Sequence, residues 1–237
     1  MTDAYDAKRH YQQKAVAGDY DRARFAGLRG WLVNWLEQRL LMKAMAGIPA
    51  GAKVLDLPVG TGRMARRLNT AGYRAIGTDV SEPMLKISAE LAGGHADLAR
   101  GDGEALPYRD GAFQAAICFR LLVHLPERAR KNVLREMARV ASDRVVAVYQ
   151  PHRLSLWWLV YGLLLRRKLP LHFVAPGDLE REFESCGLRL LRSHAPARRL
   201  HGARLRVGAD RRSLTQARSS TQLTYVDPLL SFFHTRR

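Results

Sequence analysis

The residues best placed for chemistry lie in the stretch from Val54 to Ala65, VLDLPVGTGRMA, where an apolar segment ends in an acid, Asp56, and Gly60 and Gly62 follow. A strand, a tight turn and a helix N-terminus in that order form a pocket of the nucleotide-binding type. Glycine lets the backbone approach a ligand without a Cβ in the way, and a helix starting near Gly62 presents unpaired N–H groups. Gly60 to Ala65 also satisfies the G-x-G-x-x-G/A dinucleotide pattern, and Asp79 closes a second apolar segment. The alternative is a βα turn with no ligand.

Asp56 separates the ligand classes. A pyrophosphate beside a carboxylate at the end of the first strand meets like charge. A cationic, phosphate-free ligand is favoured there, and S-adenosylmethionine (SAM), with its sulfonium and ammonium, has that chemistry. Asp79 is then placed to chelate ribose hydroxyls. Asp102, with the Gly103-Glu104-Ala105 turn, is placed to meet the adenine amino edge. Each acid alone also reads as a loop residue or a helix cap.

The elements that must carry these residues alternate in type. Lys53 onward reads as strand VLDL, a helix to Ala71, strand YRAIGTD and a helix from Glu82 to about Leu91. A short strand near Ala96 to Arg100, a turn from Gly101 to Gly111, the buried strand AFQAAICF, an amphipathic helix Glu127 to Ala141 and the strand RVVAVY follow. Such alternation predicts a parallel sheet with helices on both faces and a crevice at the C-terminal strand ends. Before it, residues 1–24 read as a helical arm, and about Phe25 to Ala46 as a helix whose Trp31 and Trp35 pack on the sheet. A lid built on Tyr20, Asp21 and Arg24 is the sharper alternative. After the core, Leu154 to Leu165, LSLWWLVYGLLL, precedes Arg166, Arg167 and Lys168. It is too short to span a bilayer and reads either as a cap on the sheet or as an interfacial helix meeting anionic lipid. A helix from Gly177 to Ser185 and a hairpin, LRLLRSHAPARRLHGARLRV, complete the core.

Of 237 residues, 47% are hydrophobic and 26% charged, which excludes a wholly disordered chain. The formal net charge is +17. Much of it is C-terminal: from Cys186 to Arg237 eleven arginines face two acids. An anionic partner follows, whether nucleic acid, membrane surface or acidic substrate. Cys118 and Cys186 show no metal-ligand spacing, and reduced thiols are expected. The start of the chain lacks the apolar core of a signal peptide, so the sequence predicts a cytoplasmic location, with peripheral contact at the inner membrane surface through 154–168 as a variant.

DLPVGTG, IGTDVSEPML, GDGEALPYRDGAFQAAICFRLLVHL and LREMARV resemble, in order, the successive motifs of class I SAM-dependent methyltransferases, over roughly Lys53 to Tyr149. Within that family the chain is most similar to small-molecule enzymes of the ubiquinone and menaquinone biosynthesis type. The resemblance implies an α/β, Rossmann-like, seven-stranded, mostly parallel sheet sandwiched by helices, its last strand antiparallel and its terminal hairpin the LRLLRS segment. An N-terminal arm or lid over 1–50, a core over 51–208 with an apolar insertion at 152–175, and a basic, weakly ordered tail over 209–237 make up the expected organisation. It implies SAM as cofactor, with Asp56, Gly60 and Gly62 at the methionine moiety, Asp79 at the ribose, and Val80 and Met84 on the adenine face. Asp102, Gly103 and Glu104 line the adenine end, with Phe119 on the cofactor wall. Pro58 stands where the family has the first glycine of its acidic-x-Gly-x-Gly motif, which removes a donor and fixes φ.

In such a fold the residues after the fourth strand face the transferred methyl. There His124 is the candidate general base, against a structural histidine, and Arg120 the candidate anion binder, against a salt bridge. The in-line displacement calls for alignment and needs no metal. The expected activity is methyl transfer to a small-molecule or lipid-like acceptor, with oxygen preferred over nitrogen or carbon. The rivals are an RNA methyltransferase gripping phosphate through the basic C-terminal region and a non-catalytic SAM-binding scaffold. The Asn-Pro-Pro-aromatic motif of nucleobase amino methylation is absent after the fourth strand.

Overall fold

Alternation along the central strands decides the architecture. The computed structural model describes residues 27–94, 96–148, 172, 174, 176–193 and 221–226. In β1 (Lys53–Asp56), Val54 packs with Met64 and Leu68 of α2 (Arg63–Thr70) and with Leu41 and Ala44 of α1 (Gly27–Ala44). Its neighbour Leu55 turns the other way, into a cluster with Val133, Leu134 and Met137 of α4 (Glu127–Val140). In β4 (Phe113–Cys118), Ala115 and Ile117 join the first cluster and Ala116 and Cys118 the second. The period of two thus feeds two cores, one on each face, as a parallel sheet covered on both sides requires.

The remaining elements are β2 (Arg74–Asp79), α3 (Glu82–Leu91), β3 (Asp97–Arg100), β5 (Ala141–Val148), α5 (Pro176–Glu184), β6 (Leu188–Ser193) and β7 (Thr221–Val226). The seven strands lie in the order β3-β2-β1-β4-β5-β7-β6. This is the Rossmann-like α/β fold expected from the sequence. Ser81 caps α3 by accepting from the Met84 N–H, and Pro83 sits in its first turn. The order reverses between β1 and β4, so their C-terminal ends open the crevice in which such folds bind ligands.

Three expectations change. β7 pairs in parallel with both β5 and β6, not antiparallel. The hairpin after β6 is likewise replaced: the neighbour of β6 is Thr221–Val226, and the stretch 194–220 between them exceeds the dozen or so residues a parallel crossover needs. That strand falls beyond residue 208, in the segment read from sequence as a weakly ordered tail. Trp31 and Trp35 do not pack on the sheet; they are 57% and 42% exposed. The buried stripe of α1 is Glu37, Leu40, Leu41 and Ala44, on the opposite face. The arm 1–24, the apolar segment Leu154 to Leu165 with its basic rim, and the rest of the C-terminal region lie outside the described residues. Among those described, no helix is long and apolar enough to cross a membrane.

One buried ion pair ties the helices of the second face together. The Arg130 guanidinium on α4 donates Nε and Nη2 to both carboxylate oxygens of Glu182 on α5, each at 2.7 Å, and Nη1 to the Leu125 carbonyl at 3.1 Å. Both residues are buried. Removing one partner strands the other charge, so Arg130→Met is expected to cost about 3–5 kcal/mol in urea unfolding, and the double change Arg130→Met with Glu182→Leu to recover most of it.

Candidate functional site

The turn after β1 is stitched to the strands on either side. The Leu57 N–H donates to the Ile117 carbonyl at 3.0 Å and the Val59 N–H to the Thr78 carbonyl at 2.9 Å. Pro58 stands between them, where it withdraws no donor that these anchors use, and the Leu57–Pro58 peptide is cis. Pro58, Val59, Gly60 and Thr61 all line one cleft.

The two glycines differ in role. Gly60, at φ 53, has nothing within 4 Å of where a Cβ would stand, and its N–H donates to Asp79 Oδ2 at 2.9 Å. Gly62, at φ 77, caps α2, and an added Cβ would fall 2.3 Å from Ser88 Oγ on α3. Packing of two helices demands that glycine, and it does not line the cleft.

Asp79 ends β2 and is held on both oxygens, the second accepting from the Ser81 N–H at 2.9 Å. Val80 and Met84 continue the wall, and Gly101, Asp102 and Gly103 enter it from the loop after β3. That loop is clamped from α4. Glu136 accepts the Leu106 N–H at 2.7 Å, while Arg139 donates to the Leu106 and Tyr108 carbonyls at 3.0 and 2.7 Å and pairs with Asp110 and Glu136 at 2.8 Å. Glu104 lies outside the lining: its carboxylate accepts from Asn132 Nδ2 at 3.2 Å, and its N–H donates to Asp102 Oδ1 at 3.1 Å.

Phe119, Arg120 and Leu121 close the cleft after β4. Arg120 has φ 63, a left-handed backbone in a residue other than glycine, and its guanidinium pairs with Glu37 Oε1 at 2.5 Å. The other oxygen of Glu37 pairs with Arg63 at 2.6 Å, and Arg63 also donates to Asn34 Oδ1 at 2.7 Å. Sequence reading missed Asn34, Glu37 and Arg63. The signal was a carboxylate in register with Leu40, Leu41 and Ala44 on an apolar stripe, because a charge there requires a partner. His124 is buried in a 3₁₀ turn, Leu122–His124, and does not line the cleft.

Desolvation governs the acids. Burial drives the Asp56 carboxyl from its ordinary 3.8 up to about 8, against the pull of the Arg63 charge and an Ala65 N–H, with Asp79 adding a smaller push upward. Asp56 Oδ2 is buried and makes no hydrogen bond. Burial also raises Asp79, opposed by the N–H groups of Ser81, Gly60 and Val80. The Cys118 thiol is pushed up to about 12, mainly by burial, which keeps it protonated.

A family model described as a methyltransferase domain matches residues 54–144, the part of the chain that builds this cleft from β1 to β5. A demethylmenaquinone methyltransferase of Renibacterium salmoninarum is 32% identical over 157 residues, 65% of this chain and 64% of the relative. Together these matches support a class I SAM-dependent methyltransferase family for the region from β1 to β5. A ubiquinone/menaquinone biosynthesis C-methyltransferase of Desulfotalea psychrophila is 33% identical over 53% of this chain and 50% of its own length. The chain thus spans less than two thirds of the length of these curated relatives. Among solved structures, magnesium protoporphyrin IX methyltransferase of Synechocystis, determined with bound SAH, superposes with a TM-score of 0.61 at 18% identity, over 78% of this chain and 90% of that one. At that identity the likeness is one of fold.

For this methyltransferase domain the raised Asp56 carboxyl sets a pH dependence. Between the unfolded value near 3.8 and the folded value near 8 the native state holds a proton that the unfolded chain has lost, so stability falls as pH rises through that window. Asp56→Asn removes this contribution. Without ligand, the variant is expected to gain on wild type by an amount that is small at pH 4 and reaches the order of a few kcal/mol at pH 8, read from urea midpoints across pH.

Proposed function

We propose that this chain transfers the methyl group of SAM to carbon on a small, lipid-like acceptor of the quinone type. The observation that carries the donor assignment is Asp56 Oδ2, buried at the end of β1 beside the cleft and left without a hydrogen bond. A carboxyl so placed is satisfied by a cationic group, and arrival of that charge favours its ionised form. Gly60, open where a Cβ would stand, leaves the space a ligand needs. These residues fit the group.

Bound there, SAM supplies an electrophilic methyl on a sulfonium. The chain's own residues bind and align. Asp56 and the Gly60 backbone face the amino-acid end, Asp79 meets the ribose hydroxyls, Val80 and Met84 flank the adenine, and Asp102 and Gly103 take its edge. Phe119 backs the centre of the cleft and excludes water from it. Leu57, Leu121 and Val133 make part of the remaining wall apolar, as suits a hydrophobic acceptor.

The preference for carbon rests on the names of the relatives and replaces the preference for oxygen drawn from the sequence. The basic C-terminal stretch behind the RNA reading lies, apart from β6 and β7, outside the described residues. A cytoplasmic location with peripheral membrane contact remains part of this proposal.

The test is methyl-labelled SAM with purified protein and separate lipid, RNA, protein and soluble extracts, with demethylmenaquinone as a defined acceptor. Label in the lipid fraction is expected, with at least about a tenfold loss of SAH affinity in Asp79→Ala. Label confined to RNA or protein overturns the acceptor class. Failure of the wild-type chain to bind SAH in calorimetry overturns the donor.

A further inference from the structure

We propose that the outward side of α1, from Leu28 through Trp31, Trp35 and Arg39 to Lys43, is a docking surface for an anionic lipid bilayer. The proposal rests on the lipid-like acceptor of the reading above and names a surface, distinct from 154–168, that would bring the cleft to it.

The helix is built with two sides. Glu37, Leu40, Leu41 and Ala44 are buried, whereas Leu28, Trp31, Trp35, Arg39 and Lys43 are exposed. The last four recur at every fourth residue, so they form one row along the helix. Leu28, 81% exposed, adds an aliphatic side chain at the N-terminal end. A scattered apolar residue on a surface is ordinary; two indoles and a leucine on two turns of one helix make a patch. The one acid of α1, Glu37, is buried, so the exposed positions carry positive charge and no negative charge. Indole and leucine suit the boundary between headgroups and acyl chains, and arginine and lysine suit anionic headgroups.

Charge selects the occupant. A second copy of the chain brings the same basic row and the same net charge of +17, so the surface is not self-complementary. Single-stranded nucleic acid stacks on open ring faces, yet the Arg39 guanidinium lies over the Trp35 ring, 5.1 Å from its centroid. An anionic bilayer takes the apolar and the basic parts of the row together. Its place on the molecule also fits. On the inner side of the same helix, Asn34 and Glu37 bond to Arg63 and Glu37 also to Arg120, and both arginines line the cleft. A bilayer seated on α1 is then separated from the cleft wall by roughly one helix diameter, about 10 Å.

The test uses the full chain and vesicles. The chain has four tryptophans, and Trp157→Phe with Trp158→Phe leaves Trp31 and Trp35 as its reporters. This variant is expected to sediment with phosphatidylglycerol vesicles, less so at high salt, and little with phosphatidylcholine. Its emission should shift to the blue on binding and be quenched by brominated acyl chains. In the otherwise native chain, Trp31→Ala with Trp35→Ala, and separately Arg39→Gln with Lys43→Gln, should each weaken vesicle binding at least about tenfold. SAH affinity within about twofold of wild type verifies that each variant is folded. Unchanged vesicle binding in both double variants, or equal binding to neutral vesicles, overturns the docking role. So do tryptophans shielded from acrylamide before vesicles are added, which places another part of the chain on the row, a dimer that these variants dissociate, or capture of single-stranded RNA in place of vesicles. Vesicle binding through α1 in a chain that binds no SAH supports the docking surface and sinks the methyltransferase reading; SAH binding without vesicle binding does the reverse.

Discussion

A carboxyl stripped of water at the end of a buried strand is the constraint on which the rest of this site depends. Asp56 cannot hold its charge cheaply where β1 delivers it, buried between β2 and β4, and its pKa rises to about 8. Burial therefore favours the protonated form of this acid near neutral pH, and a cation beside it favours ionisation. Such a site discriminates by sign before it discriminates by shape. A sulfonium or ammonium draws the carboxyl into its ionised form and gains a counter-charge, whereas a phosphate ester keeps it protonated and gains none.

Everything around that floor is held by charge-assisted clamps rather than by loop packing alone. Asp79 ties the turn after β1 to the start of α3 through two backbone N–H groups, and the Glu136–Arg139 pair fixes the loop after β3 from the far side of α4. The walls contributed by three separate βα connections are thus braced against one another or against a helix. Preorganisation of this kind suits an in-line displacement, in which alignment is the main thing the protein contributes.

Much of this was legible in the chain, and the boundary of legibility is physical. Asp56 and Asp79 could be placed because each ends a strand whose apolar run is local, and Asp102 because it opens a turn rich in Gly, Asp and Pro, so a short window contains both the signal and its meaning. Pro58 looked like a threat to the turn; the anchors that secure it, the carbonyls of Ile117 and Thr78, come from other strands and are not visible locally. Glu104 and Glu136 are both acids near the same loop, yet only pairing across α4 shows that the second braces it. The tryptophans misled because α1 carries two stripes, and periodicity reports a stripe without saying which one the sheet covers. β7 was missed for the reason parallel neighbours are generally hard to read: its partner is set by a long crossover, and no turn residues mark the register.

Helix α1 carries a consequence for inheritance. The family model begins at residue 54, whereas the charge balance of the cleft includes Glu37 on the preceding helix. The matched domain and the unit that holds its electrostatics together are therefore of different lengths. A chimera cut at the shared boundary would inherit the strands and acids but leave behind the counter-ion of two arginines. Exchanging the helix that precedes residue 54 would then retune what the cleft accepts while the matched region stays as it was.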